Sequence, residues 1–450
     1  MTNEKNEKYG LIGKTLVHSY SKEIHEALGR YQYQLFSLAE DEMPDFINAR
    51  DFRGLNVTIP YKKDVIPLCD EVTDLARGIG AVNTLFWKNA SGTGSSESIS
   101  QKNKILVGHN TDYEGFLYAA SRAGIDFEGK GVLILGTGGT SLMARRAAAD
   151  QNAAKIYIAS RHPETDPPSG SEIQDAGILS TVSYDQLPEI ADSIDVIVNT
   201  TPVGTFPNNM QQVIRLKDFP GCQAVIDVIY NPFKTALLLE AEKLGLKYTN
   251  GLPMLVAQAT AAAGYFLGTP GAFQKENQRI IKSMKQRMGN IVLIGMPGTG
   301  KSLIGKFLAE LTGKTLQDTD AKIEEEAKMT IPEIFEKEGE SGFRDRESAI
   351  CKKLGKERNL IIATGGGAIL RPENVDALRQ NGTLVHITRS IDKLPTRGRP
   401  LSKNIETLKK MEAQRMPLYK AAADITFRNN YTCSRKKLRQ RVNTYILEKL

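Results

Sequence analysis

Gly131-Val-Leu-Ile-Leu-Gly136-Thr-Gly-Gly-Thr-Ser141 and Asn290-Ile-Val-Leu-Ile-Gly295-Met-Pro-Gly-Thr-Gly-Lys-Ser302 are the two stretches that decide the fold. Each is a short apolar run followed by a Gly-rich turn. Each then enters a helical stretch, Leu142–Ala149 in the first case and Leu303–Leu311 in the second. Short apolar runs bounded by glycine suit parallel strands buried on both faces. A Gly-rich turn opening a helix presents backbone N–H groups and the positive end of the helix dipole, which is where phosphate binds. Further apolar runs follow at Lys155–Ser160, Asp195–Asn199 and Ala224–Val228, each separated from the next by a helix or loop. This is the βαβ rhythm of an α/β fold. Upstream, strands are expected near Tyr9–Ile12 and Gly54–Ile59.

The chain has 450 residues, which predicts two or three domains of roughly 100–200 residues each. With 40% hydrophobic and 25% charged residues it has an ordinary globular composition. The net charge of +7 is spread along the chain rather than gathered in a stripe. That argues against nucleic acid as a partner and suits small anionic ligands. Cys69, Cys222, Cys351 and Cys433 are far apart in sequence, so neither a zinc knuckle nor a disulfide framework is expected. The five histidines show no metal-binding spacing. The charged N-terminus does not read as a signal peptide, and no apolar run is long enough to span a membrane. A cytoplasmic enzyme with no membrane partner is expected; the sequence carries no reading of its oligomeric state.

Residues 89–104 are polar and rich in Ser and Gly between the apolar Val82–Trp87 and Ile105–Val107, so they read as a long hairpin loop. A Pro/Ser/Asp loop is expected over 162–172. Residues 269–289 read as a linker, in which Gln274–Met288 forms a basic, solvated helix.

The turn Gly136-Thr-Gly138-Gly139-Thr140 departs from G-x-G-x-x-G, yet its position after a strand suits a dinucleotide. The next strand ends Ala159-Ser160-Arg161. An arginine there, where NAD-binding chains commonly carry an acid, suits the 2′-phosphate of NADP(H). Other segments are His18-Ser19-Tyr20-Ser21, Gly54-Leu-Asn-Val-Thr58-Ile-Pro-Tyr-Lys62, Gly80-Ala-Val-Asn83-Thr and Gly108-His-Asn110-Thr-Asp112-Tyr-Glu-Gly-Phe. Asn199-Thr-Thr-Pro-Val-Gly204, Asp227-Val-Ile-Tyr230-Asn-Pro and Gly251-Leu-Pro-Met254-Leu-Val-Ala-Gln258 follow in order. Over about residues 8–268 the chain resembles the shikimate dehydrogenase family. The resemblance implies a catalytic Lys62–Asp112 pair, a substrate carboxylate held by Ser19 and Ser21, and hydroxyls held by Thr58, Asn83 and Gln258 with Tyr230 nearby. It implies a substrate lobe of residues 1–112 and 238–268 and a Rossmann-like NADP lobe of 113–237. An ammonium can stabilise a developing alkoxide and protonate it, so the pair suits ketone reduction.

Gly295-Met-Pro-Gly298-Thr-Gly300-Lys301-Ser302 is a complete G-x-x-x-x-G-K-S P-loop. Its amides wrap phosphates, Lys301 neutralises their charge, and Ser302 suits Mg²⁺. Asp318-Thr-Asp320, Gly342-Phe-Arg344-Asp-Arg-Glu347, Thr364-Gly-Gly366-Gly367-Ala, Arg399-Pro-Leu and Arg415-Met-Pro-Leu-Tyr follow. Over residues 290–450 this order resembles shikimate kinase. The resemblance implies ATP and Mg²⁺ as cofactors, Asp320 as base and Asp318 in the Mg²⁺ shell. It implies Arg344 and Arg415 on the substrate, Gly366 and Gly367 beside its ring, Glu347 orienting Arg344 or Asp320, and Arg399 reaching the phosphates from a lid. The chain departs from the family at Leu303, where Thr is usual, at Ser402, and in a short lid over 390–402.

Together these readings predict an α/β chain with a two-lobed dehydrogenase and a P-loop kinase, acting on 3-dehydroshikimate and then shikimate. Two alternatives stay open: an NAD-dependent quinate/shikimate dehydrogenase, and a chain in which one half is a degenerate ligand-binding module.

Overall fold

The computed structural model describes residues 8–16, 19–89, 104–165, 177–394, 405–430 and 434–450. His18, Arg399, Ser402, most of the expected 89–104 loop and part of the 162–172 loop and lid lie outside them. The chain divides into two compact units. The first comprises Met1–Val203, Gln212–Tyr230 and Glu240–Lys282; the second comprises Gly204–Gln211, Asn231–Leu239 and Ser283–Leu450.

The first unit holds two sheets. The N-terminal sheet is built from β1 (Tyr9–Gly13), β2 (Tyr33–Ser37), β3 (Gly54–Val57), β4 (Glu71–Val72), β5 (Thr84–Asn89) and β6 (Lys104–His109), in the order β2-β1-β3-β5-β6-β4. It is mixed: β1 runs parallel to β2 and β3, while β5 is antiparallel to β3 and β6. The β5–β6 ladder extends to the pair Asn89–Lys104, as a hairpin across the polar segment requires. The second sheet contains β7 (Gly131–Leu135), β8 (Lys155–Ser160), β9 (Leu179–Ser183), β10 (Val196–Asn199), β11 (Ala224–Asp227) and β12 (Lys247–Thr249), ordered β12-β11-β10-β7-β8-β9 and parallel throughout. Every residue of β7, β10 and β11 is buried, which explains the unbroken apolar runs.

Three helices of this unit position the site. α1 (Asp112–Arg122) follows β6, α2 (Gly139–Asp150) follows the Gly-rich turn, and α3 (Gly251–Phe266) begins at an Asn250 cap whose side chain accepts from Leu252 N. Gly115 of α1 makes close packing on α3 possible. A Cβ there would stand 2.6 Å from Met254 O and 3.0 Å from Gln258 N.

The second unit carries a parallel sheet of β13 (Asn290–Ile294), β14 (Thr315–Asp318), β15 (Leu360–Ala363), β16 (Gly382–Thr388) and β17 (Ile425–Arg428), ordered β14-β15-β13-β16-β17. Its site helices are α4 (Lys301–Thr312), α5 (Thr319–Ala327), α6 (Ile331–Lys356) and α7 (Ile405–Ala422). Gly339, at φ +69°, kinks α6. Leu303 packs against the apolar cluster around Ile291, Ile304 and Ile361.

One expectation is corrected. The 274–288 stretch is helical over Asn277–Met288, but it is not solvated all round: Ile280, Ile281, Met284 and Met288 are buried. Their spacing places them on one face, so the helix is amphipathic. Among the described residues no helix is long and apolar enough to cross a membrane.

Candidate active sites

In the first unit a cavity of about 400 Å³ is lined by Ser19, Ser21, Thr58, Lys62, Asn83, Asp112, Thr140, Tyr230 and Gln258. These are all the substrate and catalytic positions expected of this half, with Thr140 from the Gly-rich turn. Tyr20, Asn56 and Met254 also line it, though no role was read for them in the sequence. Lys62 Nζ donates to Asp112 Oδ2 at 2.6 Å, both side chains being partly buried. Lys62 follows β3 and the cis Ile59–Pro60 bond, and Asp112 opens α1.

Asn83 is held in one orientation. Its Oδ1 accepts from Thr111 N at 2.7 Å, Thr84 Oγ1 at 2.9 Å and Thr111 Oγ1 at 3.2 Å. A backbone amide can only donate, so the atom facing it is the oxygen, and the NH₂ is what Asn83 offers a ligand. Gln258 is buried on α3 and its Nε2 donates to Leu255 O at 3.0 Å, leaving its carbonyl as acceptor.

The Gly-rich turn lies at the end of β7. Gly136 has φ +101°, and a Cβ there would meet Thr201 Cγ2 at 3.0 Å. Cβ atoms built at Gly138 and Gly139 meet nothing within 4 Å among the described residues, so the backbone is open to a ligand. α2 has no acid in its first turn to repel an anion. The turn therefore fits a pyrophosphate. Ser160 is buried at the end of β8, where its Oγ accepts from His162 N, and Arg161 follows it, exposed.

In the second unit a cavity of about 570 Å³ is lined by Gly298, Gly300, Lys301, Ser302, Asp318, Asp320, Arg344, Glu347, Gly366, Gly367 and Arg415. Every expected kinase position among the described residues is present. The P-loop glycines Gly295, Gly298 and Gly300 have φ of +145°, +84° and +98°, the backbone turn that aims successive amides inward. Lys301 Nζ donates to Gly295 O at 2.7 Å. Ser302 Oγ donates to Asp318 Oδ2 at 3.0 Å, while Asp318 Oδ1 caps α5. No three His, Cys, Asp or Glu side chains gather as a metal site among the described residues. The adjacent Ser302 and Asp318 oxygens nevertheless fit Mg²⁺ completed by phosphate and water.

Asp320 and Glu347 face each other across the glycine-rich end of β15. A Cβ on Gly365 would stand 2.6 Å from Asp320 Oδ1 and 2.7 Å from Glu347 Oε1. Both oxygens are buried without a hydrogen-bond partner among the described residues. Burial, then the charges of Asp318 and Glu347, push the Asp320 carboxyl up to about 6. Glu347 is also raised, by burial, against the pull of Arg344. Arg344 Nη1 donates to Glu347 Oε2 at 2.6 Å and Nη2 to Glu340 Oε1 at 3.2 Å, so Glu347 engages Arg344 directly. Arg415 Nη1 and Tyr419 Oη both donate to Gly366 O.

Residues 11–85 match the shikimate dehydrogenase substrate binding domain, and residues 297–450 match shikimate kinase. A shikimate dehydrogenase (NADP(+)) from Clostridium perfringens strain SM101 is 34% identical over 262 residues, 56% of this chain and 90% of the relative. Among solved structures, a chorismate mutase/shikimate 5-dehydrogenase fusion protein from Clostridium acetobutylicum aligns with TM-score 0.53 and 31% identity, over 62% of this chain and 98% of the other. Shikimate 5-dehydrogenase from Thermus thermophilus, in complex with NADP(H) and shikimate, aligns with TM-score 0.51 and 27% identity, over 62% of this chain and 99% of the other.

Proposed function

Since the chain belongs to the shikimate dehydrogenase family and carries a shikimate kinase domain over residues 297–450, we propose that it performs two consecutive reactions. It reduces 3-dehydroshikimate to shikimate with NADPH, then phosphorylates shikimate on its 3-hydroxyl with ATP. The observation that carries this reading is that each unit has its own polar cavity with its own proton-handling group: Lys62 with Asp112 in one, Asp320 in the other.

In the first cavity NADPH supplies the hydride when bound. Ser19 and Ser21 present hydroxyls to the substrate carboxylate, while Asn83 donates and Gln258 accepts at ring oxygens. Lys62 faces the ketone oxygen, stabilises its developing charge and gives it a proton; Asp112 holds the ammonium in place. The open backbone at Gly138 and Gly139 takes the pyrophosphate, and Arg161 meets the 2′-phosphate. The preference for NADP over NAD is supported by Arg161 and by the NADP(+) relatives.

In the second cavity Arg344 and Arg415 orient the shikimate carboxylate, and Gly366 and Gly367 admit the ring. Asp320, raised toward neutrality, accepts the proton of the attacking hydroxyl. Lys301 and the P-loop amides hold the phosphates, Ser302 and Asp318 would hold Mg²⁺, which neutralises phosphate charge when bound, and Arg399 would close over the phosphates. Two separate assays on one purified chain test the reading: NADPH consumption with 3-dehydroshikimate, and ADP release from MgATP on adding shikimate. Failure of either removes that half of it.

A further inference from the structure

Two residues beyond Asp112 begins a second polar cluster, for which the proposed reaction has no use. Glu114 sits two residues after Asp112, on the first turn of α1. Its Oε1 is bonded by two groups from other elements: His109 Nε2 at 3.0 Å, from the end of β6, and Tyr265 Oη at 3.1 Å, from the last turn of α3. The imidazole and phenol rings lie 4.6 Å apart. His109 is fixed in turn. Thr73 Oγ1, which accepts from Ala76 N, lies 2.8 Å from His109 Nδ1. Since a carboxylate oxygen can only accept, Nε2 is the nitrogen that donates to Glu114, and Nδ1 faces the Thr73 hydroxyl. The backbone oxygen of His109 also accepts from Asn83 N.

This carboxylate ties the end of β6 to the two helices α1 and α3, which carry Asp112 and Gln258 into the cavity. Gly115 presses α1 against α3 beside Gln258. Glu114 and Tyr265 fasten the same two helices about two turns further along α3. Glu114 Oε2 is buried without a partner among the described residues. That arrangement costs stability, and an apolar side chain would avoid the cost. The simplest packing solution is therefore not the one this chain uses.

We propose that Glu114, held by His109 and Tyr265, is a positioning residue that sets the aim of Asp112 toward Lys62. The inference rests on the dehydrogenase reading above. Asp112 shares a helical turn with Glu114, whereas Gln258 is fixed within its own buried helix. Loss of the tether should therefore lower kcat more than it raises KM for shikimate.

The test is steady-state shikimate oxidation by the full chain and its Glu114→Ala, Glu114→Gln and Tyr265→Phe variants, with a melting curve for each. Expected for Glu114→Ala is a kcat lower by about 10- to 100-fold with KM raised less than about 3-fold, the scale of a misaimed catalytic group. Glu114→Gln keeps an oxygen for both donors and should recover most of kcat. Tyr265→Phe should lose about 3-fold in kcat, intermediate between them. Should Glu114→Ala fail to fold, Tyr265→Phe carries the test, since it removes one hydroxyl. Unchanged kcat in the variants, or a loss confined to KM, or no recovery with glutamine, would overturn the inference and leave the function standing. An unsubstituted chain that oxidises no shikimate would overturn both.

Discussion

Gly367→Ala should cripple the kinase reaction while leaving the dehydrogenase untouched. Gly367 has φ −102°, a conformation alanine adopts freely, so the backbone gives no reason for harm. The space does: a Cβ there would stand 2.1 Å from Arg344 Nη1 and 2.4 Å from its Cζ. No van der Waals contact is that short, so the guanidinium must move from its present place, which disturbs the 2.6 Å bond to Glu347. A hydrogen bond to a charged group contributes about 1.5–3 kcal/mol. Losing one such bond from Arg344 to the shikimate carboxylate corresponds to roughly 10- to 150-fold at about 1.4 kcal/mol per decade. The assay is ADP release against shikimate concentration, with NADPH consumption by 3-dehydroshikimate as the control within the same molecule. KM for shikimate should rise by about 10- to 150-fold and KM for ATP should stay within about 2-fold, because the P-loop is not touched. A shikimate KM unchanged in the alanine variant would refute the placement of Arg344 on the substrate.

Other outcomes follow from the same geometry. Lys62→Ala and Asp112→Asn should each lower dehydrogenase kcat by about 100- to 10,000-fold without changing phosphotransfer, measured by the two separate assays. Arg161→Ala should raise KM for NADPH by about 10-fold or more and leave KM for NADH nearly as it was, since only the former has the 2′-phosphate. Asp320→Asn should abolish phosphotransfer while nucleotide binding, followed by a fluorescent ATP analogue, persists. His25 is fully buried, stacked on Tyr33 with ring centroids 4.0 Å apart, and burial holds its imidazole down at about 3. Its folded pKa lies below the unfolded value of about 6.5, so the unfolded chain binds more protons between about pH 6.5 and 3. Stability therefore decreases as pH is lowered through that window from about 6.5 to 3, by up to about 1.4 kcal/mol per unit from this group. Denaturant melts of His25→Phe across it should show a visibly shallower slope, and an equal slope would contradict the assignment.

The legible parts of this chain were those in which chemistry dictates residue type at short range. The P-loop could be read because wrapping phosphate demands glycine at fixed offsets, and Gly295, Gly298 and Gly300 all adopt positive φ. β7 and β13 could be read because strands covered on both faces must be continuously apolar. The pairing of Lys62 with Asp112, fifty residues apart, was not in the spacing; it came from family resemblance, and only tertiary structure brings the two charges to 2.6 Å. No role for Glu114, His109 or Tyr265 was legible in the sequence, because the three come from separate elements that meet only in the fold. Asn277–Met288 was misjudged for another reason. Its high Lys and Arg content hid four apolar residues on one face, although their spacing was visible.

The most direct test of the whole account is one incubation of the purified chain with 3-dehydroshikimate and NADPH, with and without MgATP, and separation of the products. Shikimate alone without ATP, and shikimate 3-phosphate with it, is the predicted result. Shikimate that accumulates unphosphorylated in the presence of MgATP would contradict the second activity, and 3-dehydroshikimate left unreduced would contradict the first.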